Sequence, residues 1–127
     1  MKLEATANAP DGPFRQQFKN GITAAEGSVS GGKKTGRWRY YFKDGSLQAE
    51  GDYSADEITG PWIWNRANGR RLQEGSFAAG LQTGHWQRWH ANGQLMDSGH
   101  YVAGKKTGEW LSYDESGRLI KTRIFKS

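Results

Sequence analysis

At 127 residues the chain has the length of one domain with a modest core, and 18 Gly, 6 Trp, 5 Tyr and 5 Phe against only 3 Pro exclude a disordered linker, because large aromatic groups offset the entropy of ordering. The absence of Cys excludes a disulfide framework and a thiolate metal site. A formal charge of +5 with a pI of about 9.6 favours an acidic partner surface, and no apolar run approaches the ~18 residues of a membrane-spanning helix.

Residues 1–10, MKLEATANAP, form a polar lead-in without the apolar centre of a secretory signal. Ala5 falls in the register of Val29, so the lead-in is expected to be either a short strand or a frayed tail. The expected compartment is cytoplasmic if the chain is complete and periplasmic if a signal has been removed.

From Asp11 onwards the chain repeats. Gly12, Gly36, Gly60, Gly84 and Gly108 recur at steps of 24 residues, each two places before an aromatic residue: Phe14, Trp38, Trp62, Trp86 and Trp110. Asn20-Gly21, Asp44-Gly45, Asn68-Gly69, Asn92-Gly93 and Ser116-Gly117 keep the same period. So do Gly27, Gly51, Gly75 and Gly99, each followed two residues later by Val29, Tyr53, Phe77 or Tyr101. Shared periodicity of this kind marks a repeat array. The predicted units are a half repeat over 11–25, full repeats over 26–49, 50–73, 74–97 and 98–121, and a closing strand over 122–127.

Each unit reads as strand, turn, strand, turn. The aromatic run Arg37-Trp38-Arg39-Tyr40-Tyr41-Phe42 predicts a strand. Asp44-Gly45 predicts a tight type I′ turn, because both of its central residues need positive φ. The chain then returns through Leu47 to Ser54, and a wider turn is expected to close on Thr59-Gly60. No window shows a 3.6-residue apolar period, so the fold class is all-β: a single-domain antiparallel meander sheet of 24-residue β-hairpin repeats, curved or twisted, with essentially no helix. Trp38, Trp62, Trp86 and Trp110 are predicted to stack as a ladder on one face, covering the bare backbone at Gly51, Gly75 and Gly99. On that reading Trp86→Ala strongly destabilises the protein. Lys121, Arg123 and Lys126 are expected to blunt the final edge while Phe125 caps the stack.

Sites for chemistry are sparse. His85 and His90 are predicted to face opposite ways on one strand, with His100 in the following unit, which argues against a metal centre. Gly31-Gly32-Lys33-Lys34-Thr35-Gly36 lacks phosphate-loop spacing and recurs as Gly104-Lys105-Lys106-Thr107-Gly108, so it reads as a repeat turn. No cofactor and no enzymatic activity are expected. The single basic aromatic run argues against nucleic acid, and two lysine pairs make a weak case for anionic lipid.

The combination of EG-x-aromatic, GKKTG-x-W and DG or NG resembles the bacterial MORN-repeat-variant family, including YwqK-type antitoxins and other toxin-neutralising proteins, over about Gly12 to Phe125. Ser54-Ala55-Asp56-Glu57-Ile58-Thr59-Gly60 departs from the pattern by replacing the glycine-lysine turn. The resemblance implies a non-enzymatic binding sheet, an immunity protein or antitoxin that acts by clasping a cognate toxin. The alternative is a scaffold associating with membrane or anionic lipid, or one self-assembling through sheet edges. Positions that vary between copies are the natural place for recognition. On the face opposite the ladder the expected partner-binding residues are Arg39, Tyr41, Ile63, Asn65, Gln87, Trp89, Leu111 and Tyr113, with Lys43 beyond Tyr41. Five of them, Tyr41, Ile63, Trp89, Leu111 and Tyr113, are predicted to form one apolar stripe, meeting a toxin with an acidic surface. The tryptophan face is the rival surface, where Trp64, Arg88 and His90 vary.

Overall fold

The computed structural model describes residues 5–126. Ten strands follow in chain order: β1 (Gly12–Gln17), β2 (Thr23–Ser30), β3 (Lys33–Tyr41), β4 (Leu47–Ser54), β5 (Glu57–Asn65), β6 (Arg71–Ala78), β7 (Leu81–Trp89), β8 (Leu95–Val102), β9 (Lys105–Tyr113) and β10 (Leu119–Phe125). They form one antiparallel sheet in sequence order, open at β1 and β10, and no helix occurs among the described residues. The predicted all-β meander is the observed fold.

The two turns of each unit exchange the roles expected of them. Gly31-Gly32 between β2 and β3 is the tight one, both residues having positive φ (60° and 77°). Ala55-Asp56, Ala79-Gly80 and Ala103-Gly104 repeat it, with φ of 49° and 71°, 52° and 78°, and 50° and 82°. These are the two-residue turns whose twist matches paired strands. The divergent 54–60 segment keeps this turn without glycine, fastened where Asp56 Oδ1 accepts from the Lys34 N–H at 2.7 Å and the Asp56 N–H donates to Lys34 O at 2.9 Å. At Asp44-Gly45 the connection is a five-residue loop, 42–46, in which only Gly45 has positive φ. Here Gly45 N–H donates to Phe42 O and Phe42 N–H to Ser46 O, while the Asp44 carboxylate accepts from both Ser46 N–H and Oγ–H. The Ser46 hydroxyl, and then its N–H, hold the Asp44 carboxyl below the usual carboxylate range.

Thr-Gly is no turn either. Glu26 pairs with Arg39 and Ser28 with Thr35, so Gly36, Arg37 and Trp38 face the single residue Gly27. Such a bulge re-aims a side chain. Gly36, at φ 69°, lets β3 step outward, and Trp38 lies flat on Gly27. A Cβ on Gly27 would stand 2.2 Å from Trp38 Cδ2; Gly51, Gly75 and Gly99 meet Trp62, Trp86 and Trp110 at 2.1, 2.0 and 2.2 Å. Each glycine is therefore the floor on which a ring rests. Each indole N–H donates to the carbonyl just beyond that floor, at Ser28, Asp52, Ser76 and His100. A buried donor is thereby satisfied without a second layer.

Trp38, Trp62, Trp86 and Trp110 are only 0%, 3%, 4% and 7% exposed. The ladder is not a direct stack of indoles: Tyr53 stands edge-on between Trp38 and Trp62 (6.1 and 5.3 Å), and Tyr101 between Trp86 and Trp110 (5.6 and 5.2 Å). Trp64 bridges the middle, 5.8 Å from both Trp62 and Trp86. At the end Phe125 is separated from the stack by the Lys106 ammonium, 4.6 Å from the Trp110 ring and 5.6 Å from that of Phe125. At the other end Phe14 meets Trp38 at 5.7 Å.

The described part of the lead-in, residues 5–10, forms no strand, and residues 1–4 lie outside the described residues, as does Ser127 of the closing segment. Thr6, which is buried, donates its hydroxyl to Gly32 O at 2.9 Å, and Ala9 packs against the core, so the lead-in fastens to the β2–β3 turn.

Candidate binding groove on the tryptophan face

Strand register sorts the tryptophan face into transverse rows. Beside the ladder runs Ala25, Tyr40, Ala49 and Trp64, continuing as Gln73, Arg88, Asp97 and Ser112. Further towards the loops, Phe18, Phe42, Arg66, His90 and Asp114 hold the same place in successive units. Both rows change character at the middle of the sheet: aromatic and small in the first half, charged and polar in the second.

Where they are aromatic the face opens into a groove of about 570 Å³, walled by Tyr40, Phe42, Tyr53, Ile58, Trp64 and Leu72. Tyr40 and Tyr53 join their hydroxyls at 2.8 Å across it. Arg66 closes its loop end; Nη2 donates to Trp89 O at 2.9 Å, whereas its buried Nε has no hydrogen-bond partner. An aromatic trough with few convergent polar groups is the usual form of a recognition pocket. Beyond Trp64 lies a smaller, polar recess of about 210 Å³, in which Arg88 forks onto Asp97 with Nε–Oδ1 at 3.0 Å and Nη2–Oδ2 at 2.5 Å. The hydrogen bond to Asp97 pushes the Arg88 guanidinium up from its usual range. His90 Nε2 reaches Tyr113 O at 2.8 Å. Trp64, Arg88 and His90 thus share one continuous surface.

The opposite face is built differently. Arg39, Ile63, Gln87 and Leu111 fall in one row but are interleaved with Glu50, Glu74 and Ser98. Arg39 donates to Glu50 at 2.6 Å, and this bond, with the Coulomb attraction of the same carboxylate, raises the guanidinium pKa. Tyr41 donates to Glu26 at 2.5 Å; burial first, then the Glu26 bond, push its phenol up to about 12. The Asn65 amide is held between Leu47 O and Arg71, which also pairs with Glu74. Tyr41, Asn65, Trp89 and Tyr113 pair with Leu47, Arg71, Leu95 and Leu119 at the strand ends. The predicted apolar stripe is therefore broken at its centre by Asn65 and Arg71, and by Glu50 and Glu74 on either side of Ile63. Its apolar parts are Tyr41 with Leu47 on one side of the break and Trp89, Leu95, Leu111, Tyr113 and Leu119 on the other. Lys43 lies in the 42–46 loop, not on a strand.

His100, in the following unit as expected, pairs directly with His85, ring centroids 5.0 Å apart, because the antiparallel register folds β8 back onto β7. No group of three His, Cys, Asp or Glu among the described residues is placed to hold a metal ion. Both lysine pairs differ from expectation in lying at the starts of strands β3 and β9 rather than in turns; Lys34 and Lys106 lie over Tyr53 (4.5 Å) and Trp110 (4.6 Å).

A repeated hairpin sheet with a fixed aromatic spine and a groove of variable residues defines a repeat-built, single-layer β-sheet protein. The chain belongs to the MORN repeat variant family, which it matches over residues 34–55, 82–103 and 106–127, more than half its length. MORN repeats are commonly protein- or membrane-binding modules. No curated protein matches the chain. Among solved structures 13 chains match; one belongs to the crystal structure of the GtfA/B complex bound to UDP and GlcNAc, at 13% identity and a TM-score of 0.28, the alignment covering 98% of this chain and 26% of that one.

Proposed function

We propose that the protein is a non-enzymatic binding module that holds a segment of a partner protein in the Tyr40–Trp64 groove, and that the partner is a toxin which this binding neutralises. The groove carries the first half of this reading: it is open, walled by aromatic and aliphatic side chains, and has few polar groups at its border. The second half, toxin neutralisation, is supported by the resemblance of the repeat to toxin-neutralising members of the family. The protein would act by covering its partner, with no chemistry of its own, and the +5 charge suits an acidic surface.

The test co-expresses the tagged protein with the product of the adjacent reading frame, beside Leu72→Asp in the groove wall and a Tyr41→Ala, Trp89→Ala pair on the opposite face. The expected result is stoichiometric capture and relief of growth arrest by wild type and by the opposite-face variant, both lost in folded Leu72→Asp. Capture without any growth arrest to relieve would leave a binding module and sink the antitoxin. Loss only in the opposite-face variant would move the site there, and vesicle binding without a protein partner would favour the membrane alternative.

A further inference from the structure

The two edges of the sheet are not equivalent. β1 has six residues and contains Pro13, which has no N–H to offer an added strand. β10 has seven, no proline, and no strand on its outer side among the described residues. It also carries three of the large apolar side chains most open to solvent, Leu119 (51% exposed), Ile120 (62%) and Ile124 (66%). On this edge, uncovered among the described residues, they stand beside Lys121 and Arg123, which blunt it against neutral or basic strands and leave it a template for an acidic one.

The identity of the missing strand is constrained by Arg123. β2, β4, β6 and β8 each present a glycine floor to the tryptophan of the following strand, and Arg123 stands where the next floor would be. Its guanidinium lies 4.9 Å over the Phe125 ring. A further tryptophan strand has no place to rest, and β1 of a second copy would bring Phe14 onto the same side chain. Pairing of β10 with another β10 would gather Lys121 and Arg123 of both copies on one face, and like charges are unfavourable across a sheet. What fits is a strand of another type and opposite charge.

We propose that β10 is a docking edge for an extended acidic segment of a partner protein, which adds as an eleventh strand. Its carboxylates would meet Lys121 and Arg123 on the tryptophan side, and its apolar residues would meet Thr122 and Ile124 on the other. Register supports this division: Lys121, Arg123 and Phe125 pair with Ser112, Trp110 and Gly108, while Thr122 and Ile124 pair with Leu111 and Glu109. The apolar side of the new strand would then extend the Leu111, Tyr113 and Leu119 surface. Main-chain bonds give such a contact its affinity and side-chain alternation its selectivity. The edge is separate from the groove and is available whether or not the groove is filled.

The probe is a capped peptide alternating valine with glutamate and long enough to span β10, compared with its valine–lysine counterpart. Amide hydrogen exchange on the whole protein is the readout. The expected result is slowed exchange at alternate β10 amides with the glutamate peptide only, a preference on the order of tenfold that shrinks with salt, and inversion of that preference in Lys121→Glu, Arg123→Glu. Both substitutions are at exposed edge positions, so the fold survives them. Equal binding of both peptides, protection confined to groove residues, or no binding at all would overturn the proposal. Protection that grows with protein concentration in the absence of peptide would overturn it in favour of a second copy.

Discussion

Gly75→Ala is the sharpest test of how this sheet makes a core from one layer. The new methyl would lie 2.0 Å from Trp86 Cδ2, 2.2 Å from Cε2 and 2.6 Å from Cε3, where ordinary contact needs 3.4–4 Å. The indole has little room to retreat. Its N–H donates to Ser76 O at 3.2 Å and Thr83 O at 3.1 Å, and Phe77, Trp64 and Tyr101 stand 5.2, 5.8 and 5.6 Å away. Overpacking of this kind costs about 1–3 kcal/mol and occasionally more, against which alanine recovers only about 0.5–1 kcal/mol of backbone entropy. The expected loss is about 2 kcal/mol. Trp86→Ala alone removes a buried ring and should cost about 3–5 kcal/mol. In the double variant the methyl has nothing to strike, so it should be no less stable than Trp86→Ala and regain up to about 1 kcal/mol. Urea denaturation of the four proteins gives the coupling energy directly. Simple additivity of the two losses would refute the claim that the glycine exists to seat the ring.

Three further outcomes follow from the same geometry. Ala79 adopts φ 52° ahead of Gly80, so Ala79→Asn supplies the residue pair that a type I′ turn prefers and should stabilise by about 0.5–1 kcal/mol in a thermal melt. Arg88→Met leaves the Asp97 carboxylate, 11% exposed, without its cation and should cost about 1–3 kcal/mol in urea, while Arg88→Met with Asp97→Leu should recover most of it. Tyr41, with its phenol pushed up to about 12, should give an ultraviolet alkaline titration step near that pH that Tyr41→Phe removes. Its folded value exceeds the ordinary value of about 10, so its contribution is complete below that pH and is lost as pH rises towards 12. Because burial is the leading cause, Glu26→Gln should reverse only part of the shift.

Most of the fold was legible because repetition multiplies weak signals. One glycine before one tryptophan means little, whereas four pairs at a fixed step identify both the strand and the ring that covers its neighbour. The turns were less legible, since Ala55, Asp56, Ala79 and Ala103 enter the left-handed region against their local preference. Strand register on both sides imposes it, and a reading confined to turn residues assigns the tight turn to Asp-Gly instead. The candidate groove was partly visible, in the variation of Trp64, Arg88 and His90. What hid the rest was the interleaving of neighbouring strands: Ala49 on β4, Ile58 on β5 and Leu72 on β6 meet in a register that depends on bulges at every hairpin. Comparing Phe18, Phe42, Arg66, His90 and Asp114 at the same step would have exposed the change from apolar to charged along the face.

The two faces divide labour in a way that bears on where recognition can evolve. On the outer face Arg15, Arg37 and Arg39 pair with Glu26, Asp52 and Glu50 at 3.6, 3.1 and 2.6 Å, and all three arginine side chains are about half exposed or more. Such pairs are worth about 0–1 kcal/mol each, so that face can change sequence at small cost. On the tryptophan face the groove residues touch the spine itself, Trp64 lying against both Trp62 and Trp86. A change of specificity there is also a change of stability. The spine confines this coupling, because each tryptophan rests on a glycine of its own hairpin and sends its N–H to that strand's backbone. A unit can therefore exchange Tyr40 for Trp64, Arg88 or Ser112 while its glycine, ring and carbonyl hold. Nearest-neighbour architecture of this kind lets one half of the face become aromatic and the other charged within the same fold.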